Sequence, residues 1–228
     1  DTHETYYLLA VKLFSRLIGV HTTTNTQQTL YHAKLAAYEL DRLGFDLTTI
    51  KKVLIIIEDQ RFYKHGGIDF LALMRGVISV VPFVRKRLGM LQNGGSTITM
   101  QLSRSLFIDA SDYRKTLRRK LVEILLARWL NKQISKDLVL GMYLASVRYD
   151  KKIFGLAAAT LHFFNGTIIT LDIEHSIFLI EKVSNLSNFY RHTRLHYLMQ
   201  KIESKLRVKI NHEAVYELYN TAGIKPSN

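Results

Sequence analysis

Apolar residues recur at helical spacing along most of the chain. In "QTLYHAKLAAYELDRL" (28–43) they return every three or four positions and stop before Gly44, which predicts one amphipathic helix. From about Leu47 to Tyr63 the pattern thickens into "VLIII", a β-branched run that alone would suit a strand. Its length and charged flanks predict a helix instead, closed by Gly66-Gly67. A further helix is expected over 68–81, a basic glycine-containing loop over 85–96, and another helix from Thr97 to Leu106. A turn around Asp109 and Asp112 leads into a long helix through Leu130, and Ser135 caps the next through Leu144. The segment "IFGLAAATLHFF" (153–164) is small and apolar, suited to close helix packing. Helices over 171–183, 193–206 and 212–221 complete a mainly α chain, and only Pro82 and Pro226 interrupt its freedom to be helical.

Composition adds that this is a folded chain. With 228 residues, 47% hydrophobic and 22% charged, it fits one globular domain and not a disordered one. The formal charge of +13 points to polyanions, anionic membrane surfaces or phosphorylated substrates, without choosing among them. Cysteine is absent, which excludes disulfides, thiolate metal sites and cysteine nucleophiles. The most hydrophobic segment, "YYLLAVKLFSRLIGV" (6–20), is shorter than the roughly 20 residues a bilayer span needs and carries Lys12 and Arg16. It reads as an interfacial amphipathic helix or as an ordinary surface helix. Residues 1–27 are accordingly set apart as a membrane-proximal segment, with 28–228 as a single domain.

Three clusters carry candidate chemistry. The first, "IEDQRFYKHGGID" (57–69), delivers Glu58, Asp59, Arg61, Lys64, His65 and Asp69 directly after an apolar run. Glu58 is either paired with Arg61 one turn on or a general base, because a carboxylate balanced between apolar neighbours and a cation can accept a hydroxyl proton near neutral pH. His65 with Asp59 or Asp69 is a weak metal set, having no helically spaced partner histidine, and no metal ligand is assigned. The second cluster, "NGGSTITMQLSR" (93–104), combines Gly94-Gly95 with Ser96, Thr97, Gln101 and Arg104, the composition of an oxyanion or phosphate cradle or of a plain N-capped helix start. In the third, "RKTLRRKLVEILLARWL" (114–130), Arg119 and Lys120 precede Glu123 by four and three residues and share its side of a helix. Apolar neighbours surround that carboxylate, so it should face either a cation or a site.

Taken together, the clusters resemble the signatures of the family 51 glycosyltransferases, the peptidoglycan transglycosylases that polymerise lipid II. The pattern E-D-x-x-F-x-x-H-x-G is met by Glu58, Asp59, Phe62, His65 and Gly67. G-x-S-T-x-x-Q-Q is met at Gly94, Ser96, Thr97 and Gln101, R-K-x-x-E at Arg119, Lys120 and Glu123, and K-x-x-I-x-x-x-Y-x-N at Lys136 and Tyr143. The likeness runs from about residue 35 to 190, and "FGLAAATLHFFNG" (154–166) is similar to a further family segment. Met100, Gly141 and Ala145 depart from the patterns, and "VSNLSNFYRH" replaces an expected proline-containing stretch, which puts the packing of the C-terminal half in question.

The resemblance implies a lysozyme-like helical large lobe with a smaller membrane-proximal jaw lobe. It implies inverting transfer of a lipid-pyrophosphate-linked glycan to the 4-hydroxyl of the N-acetylglucosamine in an incoming lipid II, with Glu58 as general base and Glu123 as second carboxylate. Arg104, Lys115, Arg119 and Lys120 would stabilise the departing pyrophosphate, while Asp59, Arg61, His65, Arg75, Ser96, Thr97 and Gln101 would line the substrate. No cofactor is required, although a divalent Mg or Mn ion at the pyrophosphate is compatible. The implied partners are lipid II, the growing glycan strand, an anionic membrane surface and other cell-wall synthesis proteins, with no nucleic acid. The implied place is the outer, periplasmic face of a bacterial cytoplasmic membrane, behind an anchor that precedes Asp1. With no penicillin-binding domain following, the monofunctional type is expected. Two rival readings remain: a weakly active or inactive homologue serving as a lipid II-binding or cell-wall scaffold, and a lysozyme-like hydrolase with Glu58 as general acid.

Overall fold

The computed structural model describes residues 2–78, 95–109, 117–166 and 170–227, with side chains omitted for 75–78. It is mainly helical, as the periodicity predicts. The chain divides into two compact units, one made of residues 1–34 and 61–140, the other of 35–60 and 141–228. The expected loop over 85–96 and the turn near Asp112 fall largely outside the described residues.

In the first unit, α1 (Thr2–Leu17) lies on a long helix that spans Leu117–Gln133, burying Leu8, Val11 and Ser15. The helix α2 (Thr26–Arg42) passes from this unit into the second, which also contains α3 (Thr48–Glu58). After a short 3-10 turn at Phe62–Lys64 come α4 (Phe70–Ile78) and α5 (Ile98–Phe107), and the long helix is α6. The α5–α6 pair forms the core of this unit. Ile98, Met100 and Leu102 of α5 and Val122, Leu126 and Leu130 of α6 are all buried, and Phe107 stands edge-on to Trp129 at 5.8 Å.

One expectation fails here. The helix predicted to reach Tyr63 stops at Glu58, because Asp59 turns out of helical geometry (φ −155°, ψ 74°) and Phe62 is drawn fully into the interior, with the Lys136 ammonium 4.4 Å above its ring. The glycine pair therefore does not close α3. Gly67 instead sits at φ +90°, where an added Cβ would lie 2.7 Å from the Ala127 carbonyl oxygen of α6.

The second unit is built around a helix spanning Ile173–Ser184, whose Ile177, Phe178, Leu179 and Ile180 are completely buried. It follows α7 (Lys136–Ser146), the short pair β1 (Arg148–Asp150) and β2 (Ile153–Phe154), and α8 (Leu156–Phe164), so it is α9. After it come β3 (Phe189–Tyr190), α10 (His192–Leu206), α11 (His212–Thr221) and β4 (Lys225–Pro226). β1 pairs antiparallel with β2 and β3 parallel with β4. Contacts from α9 reach α3, α11 and β1, and α10 also packs on α3. Rings continue that core: Phe163 to Phe178 at 5.2 Å, Phe178 to Tyr219 at 4.8 Å, Tyr219 to Tyr190 at 4.6 Å.

The proline-poor stretch after α9 is held by polar contacts. Buried Glu181 accepts hydrogen bonds from Tyr219 Oη (2.9 Å) and Asn185 Nδ2 (3.0 Å), Asn185 also donates to the Phe189 carbonyl (2.8 Å), and Lys182 Nζ donates to the Ser187 carbonyl (2.9 Å). Burial pushes the Glu181 carboxyl above its ordinary range and these donors pull it back. The segment 153–164, read as one apolar element, divides at Gly155, whose φ of +79° caps α8. An added Cβ there would lie 2.5 Å from the Ala145 carbonyl oxygen. Gly155→Ala should therefore lower the stability of the chain by about 2–3 kcal/mol, the usual cost of a strained backbone position joined to a steric clash. Urea unfolding followed by circular dichroism checks this; an unchanged midpoint would mean the close approach relaxes freely.

Candidate active site

Helix α6 turns Val122, Leu126, Ala127, Trp129 and Leu130 inward, and two of its polar side chains lie on that same buried side. Arg119 and Glu123 are both buried, and Glu123 has no exposed surface. The carboxylate is compensated on both oxygens. Arg119 Nε stands 2.9 Å from Oε1, Lys120 Nζ 3.1 Å from Oε2, and Arg104 of α5 approaches Oε1 at 3.6 Å. The i,i+3 and i,i+4 spacings thus do what the sequence requires, and α5 adds the third cation. Three cations against one carboxylate leave a local excess of positive charge, and the Lys120 and Arg104 side chains keep 25% and 30% of their surface open to solvent. The cluster can therefore receive an anion from outside. Burial lowers the proton affinity of Lys120 below the ordinary lysine value of 10.5; Glu123 opposes this, and Arg104 and Arg119 add to it.

The start of α5 is tied to the same cluster. Thr97 is its N-cap and its hydroxyl does two things at once, accepting from Met100 N (3.1 Å) and donating to the Gly67 carbonyl (2.6 Å). Lys120 Nζ donates to Ser96 Oγ, so a residue of the second cluster and one of the third share a proton donor. Gln101 and Arg104 lie three residues apart on α5, which sets them on one side of the helix. The N-capped helix start and the donor-rich segment turn out to be the same structure.

Glu58 is half-buried at the last position of α3. A cation within its own unit was missed by the sequence reading: Lys201 of α10 is within Coulombic reach, and α10 packs on α3. Burial lowers the proton affinity of Lys201 while Glu58 raises it. The only sequence signal was a lysine bordering the buried stripe Leu198, Met199 and Ile202. Nothing in its surroundings named a partner so far away in the chain.

Arg61 pairs with Asp69 (3.4 Å), whose carboxylate also caps α4 by accepting from Leu71 N and Ala72 N. Asp59 is buried as the C-cap of α3, and His65 stands edge-on to Phe62 at 6.3 Å. Lys115 lies outside the described residues, as does Gly94, and the Arg75 side chain is not described. Among the described residues no group of three or more His, Asp or Glu side chains has metal-binding geometry. The departures from the family patterns are packing positions: Met100 is fully buried, Gly141 faces Ala37 of α2 closely, and the Ala145 carbonyl is met by Gly155.

The transglycosylase family model matches residues 26–210. The chain is 33% identical over 152 residues to a biosynthetic peptidoglycan transglycosylase of Nitrosomonas eutropha, covering 67% of this chain and 59% of that protein. It is 33% identical over 130 residues to penicillin-binding protein 1F of Bacillus subtilis (57% and 17%) and 29% identical over 141 residues to penicillin-binding protein 1A of Neisseria gonorrhoeae (62% and 17%). It spans less than two thirds of the length of each. A match that takes in the end of α3, the N-cap of α5 and the charged ring of α6 establishes that this chain belongs to the transglycosylase family.

Proposed function

We propose that the chain is a peptidoglycan glycosyltransferase that extends glycan strands from lipid II at the cell envelope. The observation that carries this reading is the buried Glu123 ringed by Arg119, Lys120 and Arg104, a fixed array of positive charge suited to a diphosphate leaving group. In the reaction, the acceptor 4-hydroxyl oxygen bonds to the donor's anomeric carbon with inversion. The carbon–oxygen bond to the diphosphate breaks, and the lipid diphosphate leaves with the electron pair. Glu58 takes the hydroxyl proton. Lys201, within Coulombic reach of Glu58, adds positive charge on that side of the carboxylate.

The cations do their work by being in place before charge develops. Their geometry is set by Glu123 and by Ser96, so little reorganisation accompanies departure of the diphosphate. Glu123 thereby orients cations and does not itself meet the reacting carbon. A divalent ion does not fit this donor set, because its single carboxylate is already engaged by three cations, and no step is assigned to one.

The membrane enters through α1. Opposite its buried face, Tyr6, Leu9, Leu13 and Leu17 form an exposed apolar stripe at helical spacing, with Lys12 and Arg16 along one edge. No helix among the described residues is long and apolar enough to cross a membrane. We assign α1 to the plane of an anionic bilayer surface, to which the +13 chain is drawn.

Glu58→Gln should abolish polymerisation of fluorescent lipid II in detergent while leaving lipid II binding and the unfolding midpoint unchanged; glycan strands from that variant would remove Glu58 as the base. Lys120 must be charged to hold the diphosphate, and its burial lets the proton leave at lower pH than in free lysine. Activity should therefore fall with rising pH below 10.5. In Lys120→Arg that alkaline limb should move upward, and a limb in the same place for both proteins would assign it to another group. Leu9→Ser/Leu13→Ser should reduce flotation with anionic liposomes at both low and high salt; undiminished flotation would take α1 off the membrane.

A further inference from the structure

Between α1 and α6 lies a cavity of 140 Å³ lined by His3, Glu4, Tyr7, Arg128, Trp129 and Lys132. That is roughly ten times the ~10–15 Å³ that admits one water, room enough for a tetrahedral phosphate with its ester oxygens. Its walls are built for an anion. Arg128 and Lys132 stand four residues apart on one side of α6, both exposed, and neither has a carboxylate partner among the described residues. His3 adds a third nitrogen donor, and with Glu4 it brings the lining to the first turn of α1, where the helix dipole favours negative charge. Glu4, the one carboxylate in the lining, is held by the Gln133 side-chain amide. Tyr7 is fixed by donating to the Leu125 carbonyl at 3.2 Å; burial raises its hydroxyl above the ordinary value, and Arg128 opposes that.

The position of the cavity matters as much as its lining. It lies along the flank of α1 that His3 joins to the exposed stripe of Tyr6, Leu9, Leu13 and Leu17, while Lys12 and Arg16 border the far edge of that stripe. An apolar strip bordered by cations on both sides matches the chemistry of an acyl region flanked by phosphates. We infer that this cavity is a binding site for the phosphodiester headgroup of an anionic phospholipid, gripped by Arg128 and Lys132 while α1 lies in the bilayer surface. The inference rests on the interfacial placement of α1 proposed above and is independent of the glycosyl transfer. It gives the N-terminal helix a specific lipid contact in addition to its diffuse charge.

The chain's one tryptophan, Trp129, lines this cavity and reports on it directly. Dihexanoylphosphatidylglycerol, titrated into the whole chain below its micelle concentration, should change Trp129 fluorescence saturably. Inorganic phosphate and dihexanoylphosphatidylcholine should do so much more weakly. Arg128→Gln/Lys132→Gln should weaken the response, and binding to phosphatidylglycerol-containing vesicles, by about thirtyfold. The charge-matched pair Arg207→Gln/Lys209→Gln, on exposed residues of the other unit, should change either by less than about twofold. Equal losses from the two pairs would reduce the effect to net charge and overturn the site, and equal affinity for inorganic phosphate would overturn the lipid assignment. The Leu9→Ser/Leu13→Ser protein separates the two claims. If it leaves the vesicles but keeps the saturable fluorescence response, both stand. If it stays on the vesicles, the placement of α1 fails whatever the cavity binds; loss of the response in it alone would make the cavity a by-product of α1 packing and overturn the site.

Discussion

A carboxylate with no exposed surface is the constraint around which the first unit is arranged. Withdrawing Glu123 from water costs several kcal/mol, and removing one partner of such a buried charge typically costs about 3–5 kcal/mol. The fold must therefore bring cations to it, and α6 alone supplies only two. The third comes from α5, so the α5–α6 packing is electrostatic at the same place where it is apolar through Phe107 and Trp129. The arrangement that neutralises Glu123 internally is the one that leaves positive charge at the surface for a ligand. On the proposed reading, stability and function draw on the same contacts, and a buried ion cluster persists where a well-packed apolar one would often serve stability as well.

Much of this was legible because it is local. The Arg119, Lys120 and Glu123 spacing fixes which side chains meet on a helix, and Thr97 is recognisable as an N-cap from residue type and position. Segment length and charged flanks correctly outweighed the β-branching of "VLIII". What escaped was non-local. Arg104 reaches Glu123 only because α5 packs on α6, and Lys201 comes within Coulombic reach of Glu58 only because α10 packs on α3. The end of α3 was missed for a related reason: its helical continuation is locally allowed, but burying Phe62 rewards the chain more for turning away at Asp59. Strands of two or three residues such as β1 and β2 carry too short a pattern to be read as alternation.

The second unit shows how a departure from a family pattern is absorbed. Where the resemblance led to an expectation of prolines, this sequence holds the stretch with the Asn185 amide, the Glu181 carboxylate and Lys182. The cost is a buried Glu181 whose charge is disfavoured, offset by Tyr219 and Asn185. Each backbone carbonyl given a donor here is one fewer unsatisfied group in a region too short for regular structure.

The hydrogen bond from Thr97 to the Gly67 carbonyl also has a topological meaning. It joins two points of the chain thirty residues apart, a threonine that caps α5 and a glycine whose backbone lies close against α6. Loop closure entropy grows only logarithmically with the number of residues enclosed. Insertions and deletions between the two anchors should therefore pass with little thermodynamic cost to the charged ring on either side.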